Sequence, residues 1–284
     1  MKVVKTIKEV RELVKKWKGE GLSIGLVPTM GYLHAGHGAL IEESVKNNHK
    51  TIVSVFVNPT QFGANEDIDK YPRDIERDKS VAEKYGADII FNPESSEMYP
   101  TDNNRKNLTT IKVEGLGEKL CGITRPTHFA GVTQVVSKLF NIVEPHNAYF
   151  GLKDFQQYVI IKKMVEDLNF NLTINGVGIV REESGLAMSS RNSYLSDNAL
   201  KNALSLSKAL NVAKSSIENG EKNSNTLINK IKTEIESHEL TKIDYIKIVD
   251  INTLEDLSIV NNNFAILLAV YVDKTRLIDN LIFY

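Results

Sequence analysis

Residues 22–37 read LSIGLVPTMGYLHAGH, and the two halves of this stretch follow different rules. Leu22 to Val27 is a short apolar run bounded by Gly21 and Pro28, which reads as a buried strand; from Gly36 to Asn47 the pattern turns helical. His34 and His37 therefore sit where a strand gives way to a helix. In parallel α/β folds that carboxyl edge of the sheet is where ligands bind.

Working outward, an amphipathic helix spans Thr6 to Lys18. Thr51 to Val57 (TIVSVFV) is a β-branched strand that stops at Asn58-Pro59, and Arg73 to Tyr85 is a charged amphipathic helix leading to a strand over Asp88 to Phe91. Alternating strands and helices imply a parallel sheet with right-handed crossovers. Pro93 to Pro126 is rich in turn formers and reads as loops, with Thr109 to Val113 able to pair as an edge strand. The alternation resumes with a helix over Gly131 to Val143, a strand over Ala148 to Phe150, a helix over Phe155 to Asn169 and a strand over Leu172 to Val180. That completes a doubly wound α/β unit.

Beyond Arg181 the texture changes. A polar loop precedes Ser196, a helix N-cap for the Ala- and Leu-rich helix Asp197 to Glu218. A second helix over Asn225 to Ser237 follows, then strands near Tyr245 to Val249, Phe264 to Val272 and Asn280 to Tyr284. The expectation is two domains, 1–180 and 181–284, the second a smaller α+β domain; 284 residues give ample capacity for both.

Thirty-five basic and thirty-six acidic side chains leave a formal charge of -1, without the basic footprint of a protein that coats nucleic acid. A lone Cys121 gives no internal disulfide, reads as a small buried apolar residue and fits a reducing compartment. The N-terminal stretch mixes charges into its apolar positions, unlike a signal peptide or membrane span. A soluble, cytoplasmic protein with no membrane partner is expected.

Neither G-x-x-x-x-G-K-[ST] nor a G-x-G-x-x-G after the first strand is present, so a bound nucleotide needs another device. His34 and His37, three apart at a helix start, can point the same way beside backbone N–H groups that favour anions, and Gly36 admits a flat purine. Taken alone the pair also reads as capping or surface histidines, or as metal ligands, although no zincin glutamate or neighbouring cysteine supports a metal. Asn58 and Gln61 belong to the same sheet edge, where Gln61 offers a neutral donor and acceptor. After the strand ending at Phe150, Lys153 is a point charge suited to phosphate, while Asp154 and Gln157 have capping-box spacing. Ser189, Ser190 and Arg191 could close over a polyphosphate as a lid, or be linker. Asp67, Asp69, Asp74, Glu76 and Asp78 read most simply as solvated faces and caps, one of which could help hold a metal. The stretch Arg125 to Val132 (RPTHFAGV) is a shaped turn before a helix or a pocket wall, the turn being favoured.

Together PTMGYLHAGH from Pro28, FVNPTQFG from Phe56, FGLKDFQQ from Phe150 and LAMSSRN from Leu186, with YPRD from Tyr71 and RPTHFAGV from Arg125, resemble the pantothenate synthetase (pantoate–β-alanine ligase) family. The order and spacing of these segments make the resemblance specific. It implies a Rossmann-like nucleotide domain with a smaller C-terminal lid domain. It also implies ATP-dependent condensation of pantoate with β-alanine through pantoyl adenylate, giving pantothenate, AMP and pyrophosphate. The His-x-Gly-His element is similar to the ATP signature of class I aminoacyl-tRNA synthetases and related nucleotidylyltransferases. A nucleotidylyltransferase that stops after AMP transfer is the rival reading.

By the same resemblance Met30, Gly31, Tyr32, Leu33, His34, Ala35, Gly36 and His37 form an ATP-binding turn, and His37, His34, Lys153 and Arg191 are the catalytic set. Gly151, Leu152, Lys153 and Asp154 match a second ATP-contacting turn, Val180 an adenine contact, and Met188, Ser189, Ser190 and Arg191 a triphosphate loop. Gln61, Gln157 and Asn58 match the pantoate site, with Gln61 shared by β-alanine. Leu152 stands where the family has a glutamate, and Phe155 where a tyrosine is common. Magnesium is implied mainly on the ATP phosphates, without a tightly bound organic cofactor, and the family resemblance implies a homodimer.

Overall fold

The computed structural model describes residues 1–63, 66–100 and 108–284. Its described residues divide into two compact units, Met1–Leu152 with Ile160–Gly178, and Lys153–Val159 with Ile179–Tyr284. The first unit opens with β1 (Lys2–Val4), α1 (Ile7–Gly19), β2 (Ile24–Thr29), α2 (Ala35–Asn47) and β3 (Lys50–Val55). It continues with α3 (Ile75–Lys84), β4 (Ile89–Phe91) and two short helices, α4 (Ser95–Met98) and α5 (Cys121–Thr124). Then come α6 (His128–Val143), β5 (Asn147–Gly151), α7 (Phe155–Asp167), whose residues up to Val159 are assigned to the second unit, and β6 (Thr173–Val177).

All pairings in this sheet are parallel, and the strand order is β1-β4-β3-β2-β5-β6. The fold is a Rossmann-like α/β sheet. Ile24, Leu26, Ile52 and Ile90 are wholly buried, which is why these strands read as unbroken apolar runs rather than alternating ones. On one face Leu40 and Ile41 of α2 and Ala82 of α3 pack with Val27, Val53 and Ile90. Thr6 caps α1 by accepting from the Glu9 N–H, while the Glu9 carboxylate takes the Thr6 N–H in return.

The chain order reverses at β2: β3 and β4 lie on one side of it, β5 and β6 on the other. β2 and β5 pair only at Gly25–Asn147 and Leu26–Ala148, although each strand runs three residues further, β2 to Thr29 and β5 to Gly151. Pro28, which has no N–H to give, falls in the end of β2 that is paired with β3 but not with β5. The sheet thus parts at its topological switch point, on the carboxyl side where α/β sheets bind ligands.

Several expected elements differ. The N-terminus carries a three-residue strand, β1, on the β4 edge that the helical pattern of the following residues concealed. Thr109–Val113 is not a strand, and residues 101–107 of the expected loop region lie outside the described residues. Within RPTHFAGV, Pro126 and Thr127 form the expected turn before a helix, but α6 begins at His128 rather than Gly131, so Gly131 is already inside it. Cys121 is buried at the first turn of α5.

In the second unit, Ser196 accepts from the Ala199 N–H to cap α8 (Asp197–Glu218), and α9 (Ser224–Glu236) follows. β7 (Thr241–Asp250), β8 (Phe264–Val272) and β9 (Thr275–Phe283) form an antiparallel sheet in that order. Ala203, Leu206 and Leu210 of α8 and Leu227, Ile231 and Ile235 of α9 share one core with Ile266, Leu268 and Val270 of β8. The alternation along β8 turns one side chain in two onto the helices.

Ile231 is fully buried in that core. Ile231→Ala is expected to destabilise this unit by about 2–5 kcal/mol, because the neighbours close only part of the cavity. Urea unfolding followed by circular dichroism measures this, and a loss below about 1 kcal/mol would contradict the packing.

Candidate active site

The turn leaving β2 is shaped by two consecutive left-handed residues, Gly31 at φ +88° and Tyr32 at φ +51°. Leu33 is wholly buried in the sheet core, so this member of the expected ATP turn contributes backbone and anchoring. His34 is the N-cap of α2, and Ala35, Gly36 and His37 form its first turn.

The two imidazoles lie with ring centroids 4.1 Å apart and planes at 39°. Nδ1 of His34 accepts the Gly36 N–H at 3.1 Å, and Nδ1 of His37 accepts the His34 N–H at 3.3 Å. A backbone N–H can only donate, so each Nδ1 in these bonds is bare and the neutral ring carries its hydrogen on Nε2. The pair therefore supplies two uncharged Nε2–H donors at a helix N-terminus, where the backbone dipole already favours anions.

Asp78 on α3, expected to belong to a solvated face or cap, is instead buried and holds this turn. Asp78, only 1% exposed, accepts from the Tyr32 N–H at 3.1 Å and the Leu33 N–H at 2.6 Å. Burial raises its pKa, outweighing those two hydrogen bonds. Its neighbour Arg77 stacks over the Tyr32 ring at 4.2 Å and its Nε reaches the Leu33 carbonyl at 3.4 Å.

A second turn follows β3. Asn58, 1% exposed, caps the short 3-10 helix Pro59–Gln61. Its Oδ1 accepts from the Thr60 N–H at 3.4 Å, the Thr60 hydroxyl and the Tyr99 hydroxyl, while its Nδ2 donates to the Gly131 carbonyl at 3.1 Å. These backbone partners fix which end of the amide is which. Nδ2 also donates to Oε1 of Gln61 at 3.0 Å, so Gln61 turns its Nε2 the other way, towards the Met30 sulfur at 3.1 Å. Thioether sulfur is a weak acceptor, so this amide is set to donate to a stronger one, such as a carboxylate. Two expected segments, Met30–His37 and Asn58–Gln61, thus meet in space.

The start of α6 braces that turn. His128 donates from Nδ1 to the Gln61 carbonyl at 2.9 Å, and a Cβ on Gly131 would come within 2.3 Å of the Thr60 carbonyl oxygen. Arg125 forms a bidentate pair with Glu66 at 2.7 and 2.6 Å. Burial pushes the Glu66 pKa up, but the Arg125 bonds more than offset it and hold it below the ordinary glutamate value. Gly151 ends β5 beside the parted end of β2, and Leu152 begins the 3-10 turn that follows.

The second unit carries the other expected residues. Lys153 and Asp154 finish that 3-10 turn and Gln157 lies in the first turn of α7. The Lys153 carbonyl accepts from Nδ2 of Asn280 at 2.9 Å. Val180 and Met188 are joined by a backbone bond from the Met188 N–H at 3.0 Å, next to an antiparallel bridge between Arg181 and Ala187. Ser189 caps the 3-10 helix Ser190–Tyr194 by accepting from the Arg191 N–H. Arg181 pairs with the buried Asp279 through two bonds of 2.7 and 2.9 Å. Adjacent residues of β9, Asp279 and Asn280, therefore anchor both the serine loop and Lys153. Neither was apparent from the sequence, where they sit in an ordinary strand pattern.

Among the described residues no group of three or more histidine, cysteine or acidic side chains is placed to hold a metal. The Asp78 carboxylate is committed to backbone N–H groups.

A parallel sheet parted at its switch point, with a helix N-terminus and two imidazole donors following the central strand, defines an α/β protein built for a phosphorylated ligand. The chain belongs to the Pantoate-beta-alanine ligase family, which it matches over residues 2–282. It is 53% identical over 283 residues to the pantothenate synthetase of Clostridium botulinum (strain Loch Maree), covering 100% of this chain and 99% of that one. It is also 53% identical to the Clostridium acetobutylicum pantothenate synthetase, over 99% of this chain and 98% of that one. The crystal structure of pantothenate synthetase from Thermus thermophilus superposes with a TM-score of 0.93 at 40% identity, covering 99% of each chain. The pantoate-beta-alanine ligase of Francisella tularensis, solved in complex with beta-gamma ATP and beta-alanine, gives 0.80 at 34% identity over 99% of this chain and 97% of that one.

The Glu66–Arg125 pair gives a pH prediction with a definite sign. Because the folded-state pKa of Glu66 is depressed, its stabilisation is present above the ordinary glutamate pKa and disappears as pH falls through the folded value. Glu66→Gln should therefore melt below the parent at neutral pH, and the gap should close on acidification below about pH 4. Calorimetry across that range measures it; a gap independent of pH would refute the assignment.

Proposed function

We propose that this chain condenses pantoate with β-alanine in two steps at the expense of ATP. Pantoate and ATP first give pantoyl adenylate and pyrophosphate. The amine of β-alanine then attacks the acyl carbon, releasing pantothenate and AMP. The observation that carries this reading is the pair of neutral imidazole donors at the N-terminus of α2, beside the parted strands, in a chain that matches this ligase family along its length.

A carboxylic acid of ordinary pKa is ionised near neutral pH, so pantoate needs no general base to attack the α-phosphorus. The barrier is electrostatic. Charge builds on the phosphoryl oxygens and the departing pyrophosphate, and donors aimed there lower the barrier more than they tighten ground-state binding. In this proposal Met30 to His37 form the ATP turn and His34 and His37 donate to phosphate oxygens. Lys153, Ser189, Ser190 and Arg191 supply further donors to the triphosphate, with Gly151, Leu152, Asp154, Val180 and Met188 as backbone or packing contacts to ATP. Leu152 has no polar group for the contact that the family's glutamate would make.

Gln61 gives its Nε2–H groups to pantoate, with Asn58 holding the amide in that sense and Gln157 as a second pantoate ligand. Shared use of Gln61 by β-alanine suits the carboxylate of that substrate better than its ammonium, because the available end of the amide is a donor. Magnesium would be held chiefly by phosphate oxygens and water, which suits a cation that keeps several waters and needs few protein carboxylates, and it would supply charge neutralisation for the pyrophosphate. A C-terminal unit that closes as a lid would shield the adenylate from hydrolysis. A homodimer in the cytoplasm is the corresponding family expectation. No helix among the described residues is long and apolar enough to cross a membrane.

His37→Ala and Lys153→Ala are each expected to slow adenylate formation about 10²- to 10³-fold while leaving the circular dichroism spectrum unchanged. Pantoate-dependent exchange of pyrophosphate into ATP reads this step, and near-normal exchange in both variants would defeat the role assignment. Gln61→Ala should instead raise the KM for pantoate with little change in ATP affinity. Equal loss for the two ligands in calorimetric titrations would argue against a pantoate role.

A further inference from the structure

The ATP turn and α3 are joined by contacts that the reaction scheme does not use. Of the backbone polar groups of Tyr32 and Leu33, immediately before His34, consecutive residues of α3 occupy both N–H groups and the Leu33 carbonyl. Asp78 takes both N–H groups, at 3.1 and 2.6 Å, and Arg77 reaches the Leu33 carbonyl at 3.4 Å while its guanidinium covers the Tyr32 ring at 4.2 Å. Gly31 leaves the space this needs: a Cβ there would come within 2.9 Å of Oδ2 of Asp78, and its φ of +88° strains any side chain.

We propose that Arg77 and Asp78 are positioning residues: a two-handed clamp that sets where the turn delivers His34 and His37, and so sets the rate of the adenylation step. The inference rests on the reading of those histidines as phosphate donors.

Three observations support it. First, the N–H groups taken by Asp78 are adjacent to the His34 N–H that caps Nδ1 of His37, so a shift of this backbone moves both rings through hydrogen bonds already present. Second, Tyr32 holds φ +51°, a conformation costly for a residue with a side chain and retained only where its surroundings impose it. Third, the carboxylate is buried, and burial works against its charged form. A pKa raised on folding means that ionising this carboxyl costs stability at neutral pH relative to its protonated form. Apart from the weak Gln61–Met30 contact, the Asn58–Gln61 turn is held by partners outside the clamp, Gly131, Tyr99 and His128, so pantoate recognition need not follow the clamp.

Asp78→Asn keeps shape and volume but offers an amide N–H to one of the two backbone donors it should accept from. In the full-length enzyme we expect kcat for pantoate-dependent pyrophosphate exchange to fall about 30- to 100-fold, as for a small misplacement of reacting groups. The KM for pantoate should stay within about twofold and the Tm within about 4 °C. A purely structural role predicts the opposite split, a lowered Tm with activity retained at low temperature. Arg77→Met, which leaves the buried carboxylate intact, should lower kcat about three- to tenfold with the same unchanged pantoate KM, and it decides the matter if Asp78→Asn does not fold. Exchange within threefold of the parent in a folded Asp78→Asn, or losses that track Tm in both variants, would overturn the clamp. Failure of the parent enzyme itself to catalyse exchange would instead overturn the functional reading beneath it.

Discussion

Two strands that begin as hydrogen-bonded neighbours and then separate govern the rest of the first unit. β2 and β5 share two registered pairs and no more, so their carboxyl ends are not paired with each other. A parallel sheet cannot end in a hairpin; each strand must hand its chain to a crossover helix, and the turns at one edge collect from segments far apart in sequence. Met30–His37 and Gly151 reach this edge because the strand order reverses at β2.

Once turns are gathered at such an edge, their own backbone polar groups become the difficulty. Each N–H and carbonyl removed from water needs a partner. Here the partners are buried side chains of set polarity: Asp78 for Tyr32 and Leu33, Asn58 for Thr60 and Gly131. Satisfying the backbone also fixes the orientation of groups that face outward. The imidazoles become donors because their Nδ1 atoms are occupied, and the Gln61 amide becomes a donor because its oxygen is. Local bookkeeping of hydrogen bonds thus determines what chemistry the edge can perform.

The sequence makes some of this legible and conceals the rest for identifiable reasons. The unbroken apolar run Phe264–Val272 appears as β8 with the same ends, and Ser196 caps α8, because strand burial and capping are local properties. β1 is too short to show a period before helix α1 begins. The start of α6 hides behind Pro126 and Gly131, residues that punctuate loops; here Gly131 serves a close approach to the Thr60 carbonyl that only tertiary structure reveals. At the candidate site, the spacing of His34 and His37 already suggests adjacent rings. Asp78 is the instructive correction: on a charged helix a carboxylate reads as solvated, and its real partners lie 45 and 46 residues away in the chain. The grouping of Lys153 and the serine loop with β9, through Asn280 and Asp279, is hidden in the same way.

Keeping both imidazoles uncharged has a further consequence, for how such a site empties. Formal cations bind the leaving diphosphate more strongly after bond cleavage than before, because it has gained charge, and in a low-dielectric cleft that attraction slows departure. Hydrogen-bond donors without net charge act over short range and weaken as soon as the anion moves. A turnover cycle built on them would shed its inorganic product with less dependence on ionic strength than one built on lysine and arginine alone.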